Sequence, residues 1–196
     1  VVSSTHARGV LADSHPRTLG AFHNSAAVEQ LLKDADLLVV VGSRLRSNET
    51  KTYSVVFPDN IIQVDANPVA QQRNYKVNQF ICAEAKDVLA RLVIALNGNS
   101  KVNADYDAEI KAARENAIEA LRTQMDQYAL ICDHLRTALP EDGIFVRDIT
   151  MSGSTWGSRL FPVQTPNKNI HSLAGAIGLG LAHAIGASIA NPTKKV

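Results

Sequence analysis

The chain has 196 residues, 45% of them hydrophobic and 20% charged, and its 20 basic side chains nearly balance 19 acidic ones to a net charge of +1. This is ordinary globular composition, with room for one domain or two small ones, and it offers no basic field for nucleic acid or a membrane surface. The two cysteines, Cys82 and Cys132, make no CxxC pattern, which argues against a zinc site or a disulfide framework and fits a reducing, cytoplasmic setting.

In chain order, VVSS at the start reads as a short strand. Residues 26 to 36, AAVEQLLKDAD, read as a helix with Val28, Leu31, Leu32 and Ala35 on one face. The run LLVVV, 37 to 41, reads as a strand buried on both faces of a parallel sheet. IIQVD, 61 to 65, and QFIC, 79 to 82, read as two further strands. Residues 83 to 96 read as a helix turning Val88, Leu89, Leu92, Val93 and Leu96 inward. Strands and helices alternating at this spacing predict an α/β fold, a doubly wound parallel sheet. NGNSKVNA, 97 to 104, breaks the pattern like a domain boundary. A polar helix from about 105 to 122 reads as a solvated connector. Tyr128, Ile131, Leu135 and Leu139 then recur at helical spacing, PEDG turns the chain at 140 to 143, and IFVRDI is a strand followed by a polar loop. From Leu179 onward the chain can be helical, with Ile185 and Ile189 toward a core. No run approaches the roughly 20 apolar residues needed to span a bilayer.

Three stretches invite a chemical reading. Gly42 ends one buried strand and Asp65 ends the next, a spacing that suits a nucleotide whose ribose meets the acid. GxGxxG is absent, and a lone glycine after a strand also simply makes a turn. The loop DITMSGSTW, 148 to 156, places hydroxyls and Gly153 beyond a strand end, where free N–H groups suit a phosphate. Its plain alternative is a surface loop rich in serine and threonine. In HSLAGAIGLGLAHAIGASIA, 171 to 190, the small residues allow close approach of backbone to a ligand or tight helix packing.

The string GAIGLGLAHAIGASIANP resembles the glycine-rich segment of thiamine-diphosphate-dependent enzymes of the acetolactate synthase and benzoylformate decarboxylase group. VVSSTHARGVLADSHPRTLG, ADLLVVVGSRL, IIQVDANP and IFVRDITMSGSTW resemble, in the same order, that family's central domain and the opening of its diphosphate-binding domain. The resemblance covers nearly the whole chain. It implies a central, Rossmann-like domain at 1 to 97, a linker at 98 to 124 and the start of the diphosphate-binding domain at 125 to 196. It also implies a piece of a longer protein, with the activating glutamate and the Mg²⁺-binding motif outside it. No catalytic or metal-ligating residue is then expected in this chain, which should be inert alone.

The resemblance further implies which residues meet the cofactor. The Gly175 carbonyl would accept a hydrogen bond from the aminopyrimidine, Ala176 would let the backbone approach, and Ile177 would wedge between the two rings. Thr150, Met151, Ser152 and Gly153 would cup the diphosphate, within one residue of register. Gly42, Arg44 and Asp65 are candidates for a flavin or nucleotide, although Arg46 stands where flavin-binding relatives carry an acid. Asn48, Glu49 and His171 are candidates for a substrate pocket, with Glu49 suited to a cationic 2-oxo acid. His183 replaces an alanine of the family pattern and reads as structural. The implied cofactors are thiamine diphosphate and Mg²⁺, with FAD as a weaker candidate. The implied substrate is a small 2-oxo acid, handled by a homodimer or homotetramer without nucleic acid or membrane. Acetolactate synthesis, simple decarboxylation and a non-catalytic nucleotide-binding module remain the competing functions.

Overall fold

The computed structural model describes residues 1–99, 101–173 and 175–196, without the side chains of Ser152 and Ser154. The chain divides into two compact units, Asn24–Glu109 and a composite of Val1–His23 with Ile110–Val196. This grouping differs from the sequence division at 97 and 124, because the opening 23 residues lie with the C-terminal part.

In the 24–109 unit, α1 (Ala26–Lys33) buries Val28 completely and leads into β1 (Leu38–Val41). β2 (Ile61–Asp65) and β3 (Gln79–Cys82) follow, and the three strands form a parallel sheet in the order β1-β2-β3. Val40 faces Gln63 in register and Val64 faces Ile81. Val40, Ile61 and Val77 form the core, with Leu38, Leu45, Phe57 and Phe80 packed against it. The α/β class and the three strands agree with the sequence, but the expected two-sided burial of residues 37 to 41 does not. Only Val40 is buried in β1, and Leu37 and Val39 are exposed, because β1 lies at the sheet edge while β2 occupies the centre.

The next helix, α2 (Ala85–Leu96), contains no buried residue. Leu89, Leu92, Val93 and Leu96, expected to face inward, are exposed. A three-stranded sheet is too narrow to cover that stripe, and α2 packs mainly on β2.

In the composite unit, α3 (Tyr106–Met125) buries Ile110, Ala113, Ala117, Leu121 and Met125 at intervals of three and four. It is therefore a packed helix and not a solvated connector, since its buried face uses alanines that a search for large apolar residues overlooks. In α4 (Tyr128–Ala138), Ala129 and Cys132 are buried while Tyr128, Ile131 and Leu135 are exposed, so the packed face is rotated from the one expected. Arg122 of α3 and Asp133 of α4 form a two-bond ion pair.

β4 (Phe145–Arg147) pairs in parallel with β5 (Asn169–His171), and two helical turns, α5 (Met151–Ser154) and α6 (Trp156–Arg159), lie between them. Sequence reading anticipated β4 and missed β5. The Phe145 and Phe161 rings stack at 4.0 Å over this core. α7 (Leu179–Ala190) closes the unit, and its Ile185 and Ile189 are exposed, against expectation. Gly180 and Ala187 make its buried face instead, so α7 approaches by its small residues and turns its large ones outward. VVSS forms no strand. Val1 is held by the Leu19 N–H on its carbonyl at 2.8 Å and by its amino group on the Arg17 carbonyl at 2.6 Å, and the Ser3 N–H donates to the Gly20 carbonyl at 2.9 Å.

Candidate functional site

β4 ends at Arg147, and the next residue ties two distant segments together. The Asp148 carboxylate accepts the Ile149 N–H at 2.6 Å, the Gly178 N–H at 3.0 and 2.9 Å, and the Gly180 N–H at 3.2 Å. The two glycine N–H groups are ones that the starting helix α7 leaves without partners, and a carboxylate at that end also opposes the helix dipole favourably. The N–H bonds, from Ile149 first and then from Gly180 and Gly178, hold Asp148 below the usual carboxylate range.

This bridge explains the glycines. A Cβ on Gly180 would lie 2.9 Å from the Asp148 Cβ, and one on Gly153 would lie 1.9 Å from the Asp148 carbonyl oxygen. Gly175 and Gly178 have φ of 71° and 96°, with open space where a Cβ would stand. Glycine is there for the left-handed backbone, not for a near neighbour. Ile177, between them, is 77% exposed. Asp148 therefore brings the 150–153 and 175–177 stretches to one place. Thr150, Met151, Gly175 and Ala176 are exposed there, while Gly153 is buried and its carbonyl accepts the Arg147 Nη1 at 2.7 Å. The Ser152 side chain lies outside the described residues.

Beside Asp148, at the end of β4, stands a buried arginine. Arg147 and His171 face each other in the β4–β5 register. Arg147 is buried, donates Nε to the Asn169 Oδ1 at 3.3 Å and Nη2 to the Thr5 carbonyl at 3.4 Å, and has no acidic partner among the described residues. Burial, then the neighbouring Arg8 charge, pushes its guanidinium down to about 10. The His171 ring lies 4.6 Å from the His6 ring, and both of its nitrogens are buried without a hydrogen-bond partner. Burial first, then Arg147, His6 and His183, pushes His171 down to about 4, so it is neutral at physiological pH.

The remaining candidates lie in the 24–109 unit. Gly42 follows β1 with φ 61° and donates its N–H to the Val64 carbonyl at 2.9 Å. The Arg44 carbonyl accepts from Asn74 Nδ2 at 2.5 Å. Asp65 accepts the Asn67 N–H at 2.8 Å, closing a turn after β2. Glu49 pairs with Arg46 at 3.6 Å, and Asn48 is exposed beside it. Sequence reasoning missed Asp148, Arg147 and His6 as participants. The usable signal was an acid directly after a strand, with a Gly-x-Gly helix start thirty residues on.

Among the described residues, no group of three or more His, Cys, Asp or Glu is placed to hold a metal ion, and no helix is long and apolar enough to cross a membrane. Residues 1–92 match the family described as thiamine pyrophosphate enzyme, central domain. The chain is 28% identical to the acetolactate synthase isozyme 1 large subunit of Escherichia coli (strain K12), over 97% of this chain and 34% of that protein. It is 28% identical to the acetolactate synthase large subunit of Lactococcus lactis, over 100% of this chain and 35% of that protein. It is 24% identical to a probable 2-ketoarginine decarboxylase of Pseudomonas aeruginosa, over 98% of this chain and 34% of that protein. The chain thus spans about a third of the length of the curated relatives it matches. That family's central domain matches the start of the chain, and acetolactate synthases are similar to it along nearly its whole length.

Proposed function

We propose that this chain is part of an enzyme that uses thiamine diphosphate and Mg²⁺ to decarboxylate a 2-oxo acid and join the product to a second one, as an acetolactate synthase does. The observation that carries this reading is the Asp148 bridge, which sets exposed Ile177, flanked by left-handed Gly175 and Gly178, beside the 150–153 turn. The residues present fit the cofactor. Gly175, Ala176 and Ile177 would hold its rings, and Thr150, Met151, Ser152 and Gly153 its diphosphate. When bound, the cofactor supplies the electron sink that loss of CO₂ from a 2-oxo acid requires.

The chain's own residues prepare that place. Asp148 fixes the glycine-rich segment against the end of β4, and its carboxylate already takes the Gly178 and Gly180 N–H groups, so the diphosphate must use other donors. Arg147 anchors the 150–153 turn through the Gly153 carbonyl. Neutral His171 keeps one ring nitrogen as donor and one as acceptor. Under this reading residues 1 to 97 correspond to the family's central domain, 98 to 124 to a linker and 125 to 196 to the start of the diphosphate-binding domain. The assembly is a homodimer or homotetramer working in the cytoplasm.

A decarboxylase is the competing outcome, favoured by likeness to a probable 2-ketoarginine decarboxylase. Glu49 would be its contact for a cationic substrate, and that carboxylate is engaged by Arg46. The test is CO₂ release by the whole protein from a panel of 2-oxo acids, with and without thiamine diphosphate and Mg²⁺, with product identification. An acetohydroxy acid supports the synthase and an aldehyde alone the decarboxylase. Cofactor-independent results across the panel, with no cofactor binding, would remove both. A visible absorption spectrum decides whether flavin is retained, and sedimentation decides the assembly.

A further inference from the structure

A cavity of about 420 Å³ in the composite unit is lined by Arg8, Arg114, Arg122, Arg136 and Arg159. Only two carboxylates line it with them, Asp13 and Asp133, and both are engaged. Asp13 takes the Arg8 Nη2 and, at 2.7 Å, the Val163 N–H. Asp133 takes both terminal nitrogens of Arg122. The cavity therefore holds an uncompensated excess of positive charge.

Part of that charge serves the fold. Arg136 donates to the Leu139, Pro140 and Pro162 carbonyls and lies 5.0 Å over the Phe161 ring. Arg114 donates to the Asp13 carbonyl. Two arginines are different. Arg159 makes no ion pair and no side-chain hydrogen bond to any described residue, and its Nε is buried without a partner. The Arg8 side chain is 2% exposed, and its Nε and Nη1 are buried without partners as well. Buried donors without acceptors are costly, and the Nε atoms of both arginines and the Nη1 of Arg8 are such donors. Burial accordingly lowers the affinity of Arg159 and Arg8 for their protons. An oxyanion would satisfy both groups at once, and guanidinium groups match phosphate oxygens in geometry as well as charge.

We propose that this cavity binds a small polyvalent anion carrying a di- or triphosphate group, held by Arg8, Arg114 and Arg159 within a rim set by Arg122 and Arg136. The 420 Å³ volume exceeds what a single oxyanion fills, and five arginines exceed what one charge requires. Phe22, Ile118 and Pro162 add an apolar side that leaves room for an organic substituent. This assignment does not depend on the thiamine reading.

The test is calorimetric titration of the full chain with inorganic pyrophosphate, orthophosphate and ADP, at low and at physiological salt, repeated under saturating thiamine diphosphate. Pyrophosphate should bind saturably, more weakly as salt rises, and at least about tenfold more tightly than orthophosphate. Thiamine diphosphate should leave this binding in place. Arg159→Gln should weaken it by about tenfold or more without lowering the unliganded Tm, because that side chain makes no bond to any described residue. Arg114→Gln, at a second position, should weaken it in the same direction. ADP binding much tighter than pyrophosphate assigns a nucleotide, and equal binding assigns the polyphosphate group alone. No saturable binding, binding unchanged in both variants, no preference over orthophosphate, or displacement by thiamine diphosphate would each overturn the proposal.

Discussion

The Asp148 carboxylate holds the Gly178 N–H with both oxygens, at 3.0 and 2.9 Å, across thirty residues of sequence. That contact joins the end of β4 to the start of α7. Asp148→Asn removes the charge and one acceptor. We expect a lower Tm and faster amide exchange at residues 178 to 182, with β1–β3 unaffected. Because the carboxylate is held below its ordinary range, its contribution is fully present above the unfolded value near pH 4 and is lost as pH falls through the lower folded value. The wild-type and Asn variant melting curves should therefore converge in acid. Curves that stay parallel would sink the capping role.

Two glycines of this region should respond oppositely to alanine. A Cβ at Gly153 meets the Asp148 carbonyl oxygen at 1.9 Å, so backbone must move. Gly153→Ala should cost about 3 kcal/mol. Gly186, inside α7, has nothing within 4 Å of a Cβ. Gly186→Ala should stabilise by about 1 kcal/mol through helix propensity alone. Denaturant midpoints of the two variants check both signs.

His171 makes stability pH-dependent. Its folded value of about 4 lies below the model-peptide value near 6.5. Between those limits the unfolded chain takes up a proton that the folded chain refuses. Stability therefore falls as pH drops from about 6.5 to 4, and this group contributes no slope above 6.5. His171→Gln should flatten the dependence of Tm on pH across that window, and an unchanged slope would show that other groups dominate it.

The two cysteines should differ sharply in reactivity. Cys82 is exposed, whereas Cys132 is buried and burial first, then Asp133, pushes its thiol up to about 11. The thiolate is the reactive form. Native protein should consume one equivalent of an alkylating reagent, at Cys82, and a second only in denaturant. Peptide mapping of the native reaction identifies the site, and early labelling of Cys132 would contradict its burial.

Local pattern carried much of the outline. Alternation and aliphatic runs marked β1, β2 and β3, and helical spacing marked α1, α2 and α4, because each element reports its own periodicity. The family resemblance rested on short motif strings and their order, not on periodicity. What failed was burial. Residues 89, 92, 93 and 96 of α2 and Ile185 and Ile189 of α7 carry the pattern of a packed face and are exposed. The stripe Ile110, Ala113, Ala117, Leu121 and Met125 of α3, interrupted by two alanines, carries a weak pattern and is packed.

By itself, then, the sequence determined the α/β class, the strands β1 to β4 and the bare backbone around Gly175 and Gly178, since these follow from side-chain volume, periodicity and permitted φ. Only the tertiary structure decided that Asp148 caps the glycine-rich helix, that Arg147 faces His171, and that five arginines surround one cavity. Those facts depend on which strand ends and helix faces meet. A pairing such as Asp148 with Gly178 leaves no local periodicity, because its energy exists only once residues thirty apart are brought within hydrogen-bonding distance.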